Sequence, residues 1–522
     1  MADRAQPLGS IGWAGIGVAA SIPALIGATS VAVILSAEGG RGLSPADWAA
    51  IRFTLWQAVL SAVISVVLAI PVARALSRRR FRGRDLLITL LGAPFLLPVI
   101  VAVFGLLAIF GRGGVVNAAL SSIGAEPISI FGLHGVVLAH VFLNLPLATR
   151  LLLQGWQSIP SERFRLAASL NMGPPAVFRH LEVPMLVRAS PPAFLVIFVI
   201  CTTSFAVALT LGGGPRATTV ELAIYQALRF DFDLTRAAML SAVQLVITGT
   251  TALFALKWAA TPGFGKGLDR MSKRWDAHDL NRRVLDTALI TLAALFLIAP
   301  MSAVAIRGAV NIAGLPDVVW TSAGRSLIVA VVSTLLVLSA ALVMALAAAR
   351  MSKGARWIES AGLLAIAASP LVLGTGLFVI VFPFIDPSRL AIPVTALVNA
   401  LVTMPFALRV LIPAVKDVEI SFGPLADGLG LTGRTRLRVV ILPRIRPSLG
   451  FSAGLAAALS MGDLGVIALF ADPETATLPL QLYRLMGAYR MDDAAGASLL
   501  LLVLSFALFW ACDRWGRHGT DS

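Results

Sequence analysis

With 522 residues, of which 58% are hydrophobic and only 13% charged, and a mean hydropathy of +0.87, the chain is too apolar for a water-soluble globule. Its 42 Lys and Arg exceed its 27 Asp and Glu to give +15, yet the basic residues lie between apolar runs, as anchors on an anionic membrane surface do, and argue against a nucleic-acid partner. Two cysteines, Cys201 and Cys512, in or at the end of apolar segments, exclude a disulfide framework and a thiolate metal site, and the five histidines lack ligand spacing.

Arg4 precedes the first apolar run, Trp13 to Ala37, which is longer than a signal-peptide core and reads as an uncleaved span. Further runs able to cross a core of about 30 Å as helices are predicted near Thr54 to Ala75, Leu86 to Phe110, Leu133 to Leu153, Pro192 to Leu211 and Ala237 to Trp258. A second set follows at Val284 to Ile306, Ser326 to Ala349, Ile358 to Phe382, Leu390 to Leu411, Phe451 to Phe470 and Ala497 to Cys512. The runs lack the alternation of a membrane barrel, so the expected fold class is all-α, an integral membrane protein of 12 transmembrane helices. The basic loop Ser77 to Arg84, the linker with Lys266, Arg270, Lys273, Arg274, Arg282 and Arg283, and the tail with Arg514 and Arg517 then share the cytoplasmic side with both termini. The loops Glu38 to Ala50, Arg112 to Phe131, Gly212 to Thr235 and Ala471 to Gly496 fall outside.

The second half repeats the first. Arg165 to Pro184 realigns on Pro424 to Pro443 at a shift of 259, as Asn144 to Arg150 does on Thr403 to Arg409, whereas Thr54, Leu55, Ala58, Val59 and Ser61 match Ser326, Leu327, Ala330, Val331 and Ser333 at 272. An insertion around Gly111 to Phe131 accounts for the change. The expected organisation is a first repeat over 1–262, a basic linker over 263–283 and a second repeat over 284–522. Two six-span copies in one orientation are parallel repeats, with a pathway between them.

In each copy a polar loop follows the fourth span, at about 160–188 and 416–446. A helix, a turn at Asn171-Met172-Gly173 or Gly428-Leu429-Gly430, and a short helix ending at Pro184 or Pro443 are predicted, since Gly and Asn tolerate left-handed backbone. Charges such as Glu162, Arg165, Glu182, Glu419, Asp427, Arg434 and Arg436 alternate there with Leu166, Ala167, Ala168 and Leu170, or Leu425, Ala426 and Leu429. This pattern resembles the EAA loop of ABC importer permeases, whose short coupling helix docks in a groove of an ATPase subunit. The family's glutamate is replaced by Arg165 and Pro424, and its glycine by Asn171 in the first copy, while Gly430, Pro184 and Pro443 match. No phosphate-binding loop is present, since Gly263-Phe-Gly-Lys-Gly267 has the wrong spacing and lacks the final hydroxyl. The chain is therefore expected to bind no cofactor and not to be an enzyme, with ATP and Mg held by a separate ATPase dimer.

Three segments, Leu211 to Leu228, His140 to Arg150 and Ser460 to Ile467, are similar to the permease family of the bacterial thiamine and thiamine pyrophosphate ABC importers. That resemblance implies a type I importer fold in the inner membrane, a periplasmic substrate-binding protein and thiamine as cargo. Ferric iron importers, which also use fused permeases, are the nearest competitor, and a secondary transporter with twelve spans is a rival from another class. Asp463 is read as the one acid within a span, a functional position by default. Three readings are open for it: counter-ion to the thiazolium, cap of a helix broken at Gly462, or part of a gate whatever the cargo. Its repeat partner is Ser204, beside Thr202 and Thr203, and Ser460 lies one turn before it. Tyr225 and Tyr483 are expected in an interfacial belt.

Overall fold

Within hydrocarbon, backbone N–H and C=O groups must be paired inside the segment that carries them, and the apolar runs accordingly fold as helices. The computed structural model describes residues 10–37, 42–92, 96–258, 279–351, 355–367 and 369–517, among which no strand occurs. Arg4, the Gly263 to Gly267 segment, Lys266, Arg270, Lys273 and Arg274 lie outside the described residues.

The first half contains α1 (Ser10–Ala37), α2 (Pro45–Arg78), α3 (Arg84–Leu90), α4 (Val99–Phe110), α5 (Val115–Ser122), α6 (Leu133–Gln157), α7 (Ser161–Ser169), α8 (Pro174–Val177), α9 (Val183–Thr202), α10 (Ala206–Leu211), α11 (Val220–Arg229) and α12 (Leu234–Trp258). The second contains α13 (Leu280–Asn311), α14 (Asp317–Arg350), α15 (Ala355–Ala367), α16 (Pro370–Val381), α17 (Ala391–Gly428), α18 (Gly433–Arg436), α19 (Leu442–Met461), α20 (Gly465–Phe470), α21 (Leu478–Gly487) and α22 (Met491–Arg517). The inserted stretch Gly111 to Phe131 holds α5, which has no counterpart between α16 and α17.

Among the described residues, ten helices are long and apolar enough to cross a membrane, two fewer than expected. The sixth predicted span corresponds to α12, and the ninth is divided by Ser369-Pro370 into α15 and α16. The third is divided in the same way, into α3 and α4, with Pro98 as the N-cap of α4. Proline supplies no amide to the preceding turn, which explains a break at matched places in both halves.

The halves interlock. Helix α1 packs on α14 and α16 of the second half, and α13 packs on α2 and α4 of the first. Both crossings need a glycine. A Cβ on Gly105 of α4 would lie 2.8 Å from the Pro300 oxygen of α13, and one on Gly376 of α16 would lie 2.7 Å from the Thr29 oxygen of α1. Gly105 and Gly376, like Thr29 and Pro300, are 271 residues apart, so the repeat in sequence becomes a repeat in packing.

At one end of the bundle, Arg74 near the end of α2 pairs with Glu182 at 2.7 Å, and Arg79 pairs with Asp286 of α13 at 2.8 Å. These contacts place the arginine-rich loop after α2, the loop before α9 and the start of the second half together.

Candidate functional site

The two polar loops have the same construction. Asn171 (φ 50°) and Gly430 (φ 65°) both take left-handed backbone at equivalent positions, whereas Gly173 (φ −63°) does not and Gly428 ends α17. Pro184 and Pro443 do not end the short helices as expected. Each stands second in a long helix, α9 or α19, entered through a π turn, Phe178–Glu182 or Leu437–Ile441. A proline cannot donate to the carbonyl four residues back, and the wider turn accommodates that loss without stopping the chain. The long helices therefore begin well before the predicted Pro192 and Phe451.

Ala167 and Ala426 point inward, 2% and 1% exposed, and let the loop helices pack closely. Ala168, Arg165 and Arg434 face outward. So do Leu166 and Leu170 in the first loop and Leu425 and Leu429 in the second, between 60% and 66% exposed, as two matched apolar pairs. The loops differ in how they are braced. Arg436, missed as a key residue, is buried and binds both Glu419 and Asp427, tying α18 to the end of α17. The first loop breaks at Ser158 to Pro160 between α6 and α7, and its Arg165 meets only the exposed Glu162, at 2.7 Å. The backbone N–H of Glu162 itself, then the Ser161 hydroxyl and Arg165, hold the Glu162 carboxyl below its usual range.

From each π turn, α9 and α19 run 20 residues, about 30 Å at helical rise, and both stop at a break. Thr203 and Ser204 form the first break and Gly462 and Asp463 the second. Carbonyls orphaned at the first are taken by glutamines, with Gln57 Nε2 donating to Cys201 O at 2.8 Å and Gln244 Nε2 to Thr202 O at 2.9 Å. At the second, Asp463 Oδ1 accepts the Gly465 N–H at 3.2 Å, while Oδ2 is buried without a hydrogen-bond partner. Of the other predicted pathway residues, Ser460 accepts from Asn399 of α17 at 3.0 Å and Thr203 donates back to Val199 O at 3.2 Å, so both serve their own half. Ser204 lies in the break itself.

The breaks meet. A Cβ on Gly465 would lie 3.1 Å from Leu371 Cδ1 and 3.8 Å from Phe205 Cδ1, so the first half's Phe205 and the second half's Leu371 and Gly465 share one contact. Tyr225 of α11 packs edge-on to Phe205 at 5.2 Å and is 7% exposed, which removes it from the expected interfacial belt.

The segment Gly212 to Thr235, expected as an open loop, contains α11 turned back among the spans. Its first amide, Val220 N–H, is bound by Thr54 Oγ1 at 2.9 Å, and the matching Leu478 N–H of α21 by Ser326 Oγ at 2.8 Å. This burial brings in an acid that pattern reading placed outside. Among the described residues, the fully buried acids are Asp47, Glu182, Glu221 and Asp286. Three of them face arginines, Arg236, Arg74 and Arg79 respectively. Glu221 instead accepts from Gln244 Nε2 at 2.9 Å and from Ser369 Oγ. Asp463 is thus not the only acid in the interior.

No family model matches the chain. It is 40% identical over 539 residues, covering 98% of both chains, to the thiamine transport system permease protein ThiP of Escherichia coli (strain K12). Identity to the protein of the same name from Brucella abortus (strain 2308) is 39% over 510 residues, 95% of this chain and 93% of that one. For the Haemophilus influenzae protein it is 35% over 474 residues, 88% and 87% of the two chains.

Proposed function

This chain belongs to the family of thiamine transport system permease proteins, and from that premise we propose that it carries thiamine, and its phosphate esters, into the cytoplasm as the permease of an ATP-driven importer. The observation that carries the reading is likeness to thiamine permeases along nearly the whole chain; ferric iron as cargo is not favoured. The protein sits in the inner membrane with its arginine-rich end and both termini in the cytoplasm. Residues 1–262 and 284–522 form the two repeats, joined by a linker at 263–283, and surround the pathway.

A periplasmic binding protein delivers the cargo outside. Two ATPase subunits, which hold the ATP and Mg, dock at the loops, where Leu166 with Leu170 and Leu425 with Leu429 offer apolar surface to a groove. Closure of the ATPases then pushes on α8 and α18, and the π turns pass the displacement into α9 and α19. Those helices end at the two breaks that meet through Phe205, Leu371 and Gly465, so a push at the loops parts the contact that closes the pathway. Replacing the buried Ala167 or Ala426 by a larger residue would shift the lever instead of the docking surface.

Complementation tests the reading. In a thiamine-requiring strain lacking its own permease, this chain with its ATPase and binding protein should restore growth on limiting thiamine. Leu425→Asp should abolish that growth while the protein still reaches the membrane. Absence of growth with the wild-type chain present in the membrane would refute the proposal.

A further inference from the structure

We propose that Glu221 is a second cation-recognising acid of the pathway, and that cargo engages it by displacing Ser369 of the opposite half. The inference rests on the reading of the cargo as an organic cation.

Glu221 is 1% exposed, and Oε1 takes both of its donors, Gln244 Nε2 and Ser369 Oγ. Its Oε2 is buried with no hydrogen-bond partner. Two more buried oxygens without partners belong to α12, Gln244 Oε1 and Ser241 Oγ, one helical turn apart. Unmet buried acceptors are costly. A ligand that brings positive charge and N–H donors, as the thiazolium and amino group of thiamine do, would satisfy this set.

The position suits a pathway residue. Glu221 stands one turn before Tyr225, which packs on Phe205, and Ser369 accepts the N–H of Leu371 at 3.2 Å. Phe205 and Leu371 are the side chains that meet Gly465 where the two broken helices abut. The Glu221 to Ser369 bond therefore crosses between halves directly beside the closing contact. When the halves part, Ser369 leaves with α16, and the carboxylate is released at the moment the pathway opens. Cargo at Oε2 and Ser369 at Oε1 compete for the charge of one carboxylate, so the acid attracts the cation in the open state and gives it up as the halves close. Asp463, also with one buried oxygen lacking a partner, lies beyond Gly465 on the second half's side of the same contact.

Competition gives the two ends of this bond opposite signs. Glu221→Gln keeps an oxygen for Ser369 and Gln244 but removes the charge, and in vesicles holding the complete transporter it should raise KM for radiolabelled thiamine about tenfold. Ser369→Ala keeps the charge and removes the competitor, and should lower KM about threefold. A purely structural bond would move both variants the same way, and that outcome, or an unchanged KM in Glu221→Gln, overturns the inference. Should Glu221→Gln fail to reach the membrane, a raised KM in Ser369→Ala overturns it alone. Wild-type vesicles that take up no thiamine would instead overturn the cargo reading beneath it.

Discussion

Arg436 and Arg165 occupy the two polar loops, and their surroundings give them unequal weight. The Arg436 side chain is 4% exposed and its partner Glu419 14%, whereas Arg165 and Glu162 are 73% and 69% exposed. Truncating a buried partner strands the opposing charge and costs about 3 kcal/mol, while an exposed pair is screened by water and contributes little. Arg436→Ala should therefore lower the melting temperature of the purified protein and weaken capture of the ATPase, and Arg165→Ala should do neither. Equal effects would contradict the bracing role of Arg436. At Asp463, Asn retains an oxygen for the Gly465 N–H, so Asp463→Asn isolates the charge. Thiamine uptake should fall about tenfold if the acid balances the cation during passage, a loss of roughly 1.4 kcal/mol, and unchanged uptake would restrict Asp463 to holding the bend at the break.

The loops were the most legible elements. Their shift of 259 and the backbone tolerance of Asn and Gly marked the turns at 171–173 and 428–430 from sequence, and within them the structure puts Asn171 and Gly430 in left-handed backbone, with Gly433 a further such residue that the pattern did not mark. Exchange between Gly and Asn at Asn171 or Gly430 should leave thermal stability nearly unchanged, whereas valine should cost about 1–2 kcal/mol. A tolerated valine would mean that the turn has another geometry. What the sequence hid was tertiary. Proline read as a terminator at Pro184 and Pro443, because a π turn depends on the packing around it and leaves no local pattern. Glu221 read as part of an open loop, because ten residues of α11 are too few to register as a span, and only Thr54, Gln244 and Ser369, distant in sequence, draw it inside. Hydrophobic run length likewise cannot reveal a break such as the one before Pro370.

At the scale of the molecule, composition was enough to give an all-helical membrane protein, but not the interlocking of its first and second halves, since nothing local marks α1 as belonging beside α14 and α16. The glycine crossings test that exchange. Gly105→Leu and Gly376→Leu should each cost about 1–3 kcal/mol through overpacking, seen as a lowered melting temperature in detergent, and similar losses are expected because the two sites are equivalent. A loss at one glycine only would argue against the shared geometry. On the proposed reading, this chain moves thiamine by means of an ATPase docked at its two loops. The most direct test is uptake of radiolabelled thiamine into proteoliposomes containing the chain, its ATPase and its binding protein. Accumulation is expected to require ATP and to disappear in Leu425→Asp; accumulation driven by an ion gradient with no ATPase present would overturn this reading.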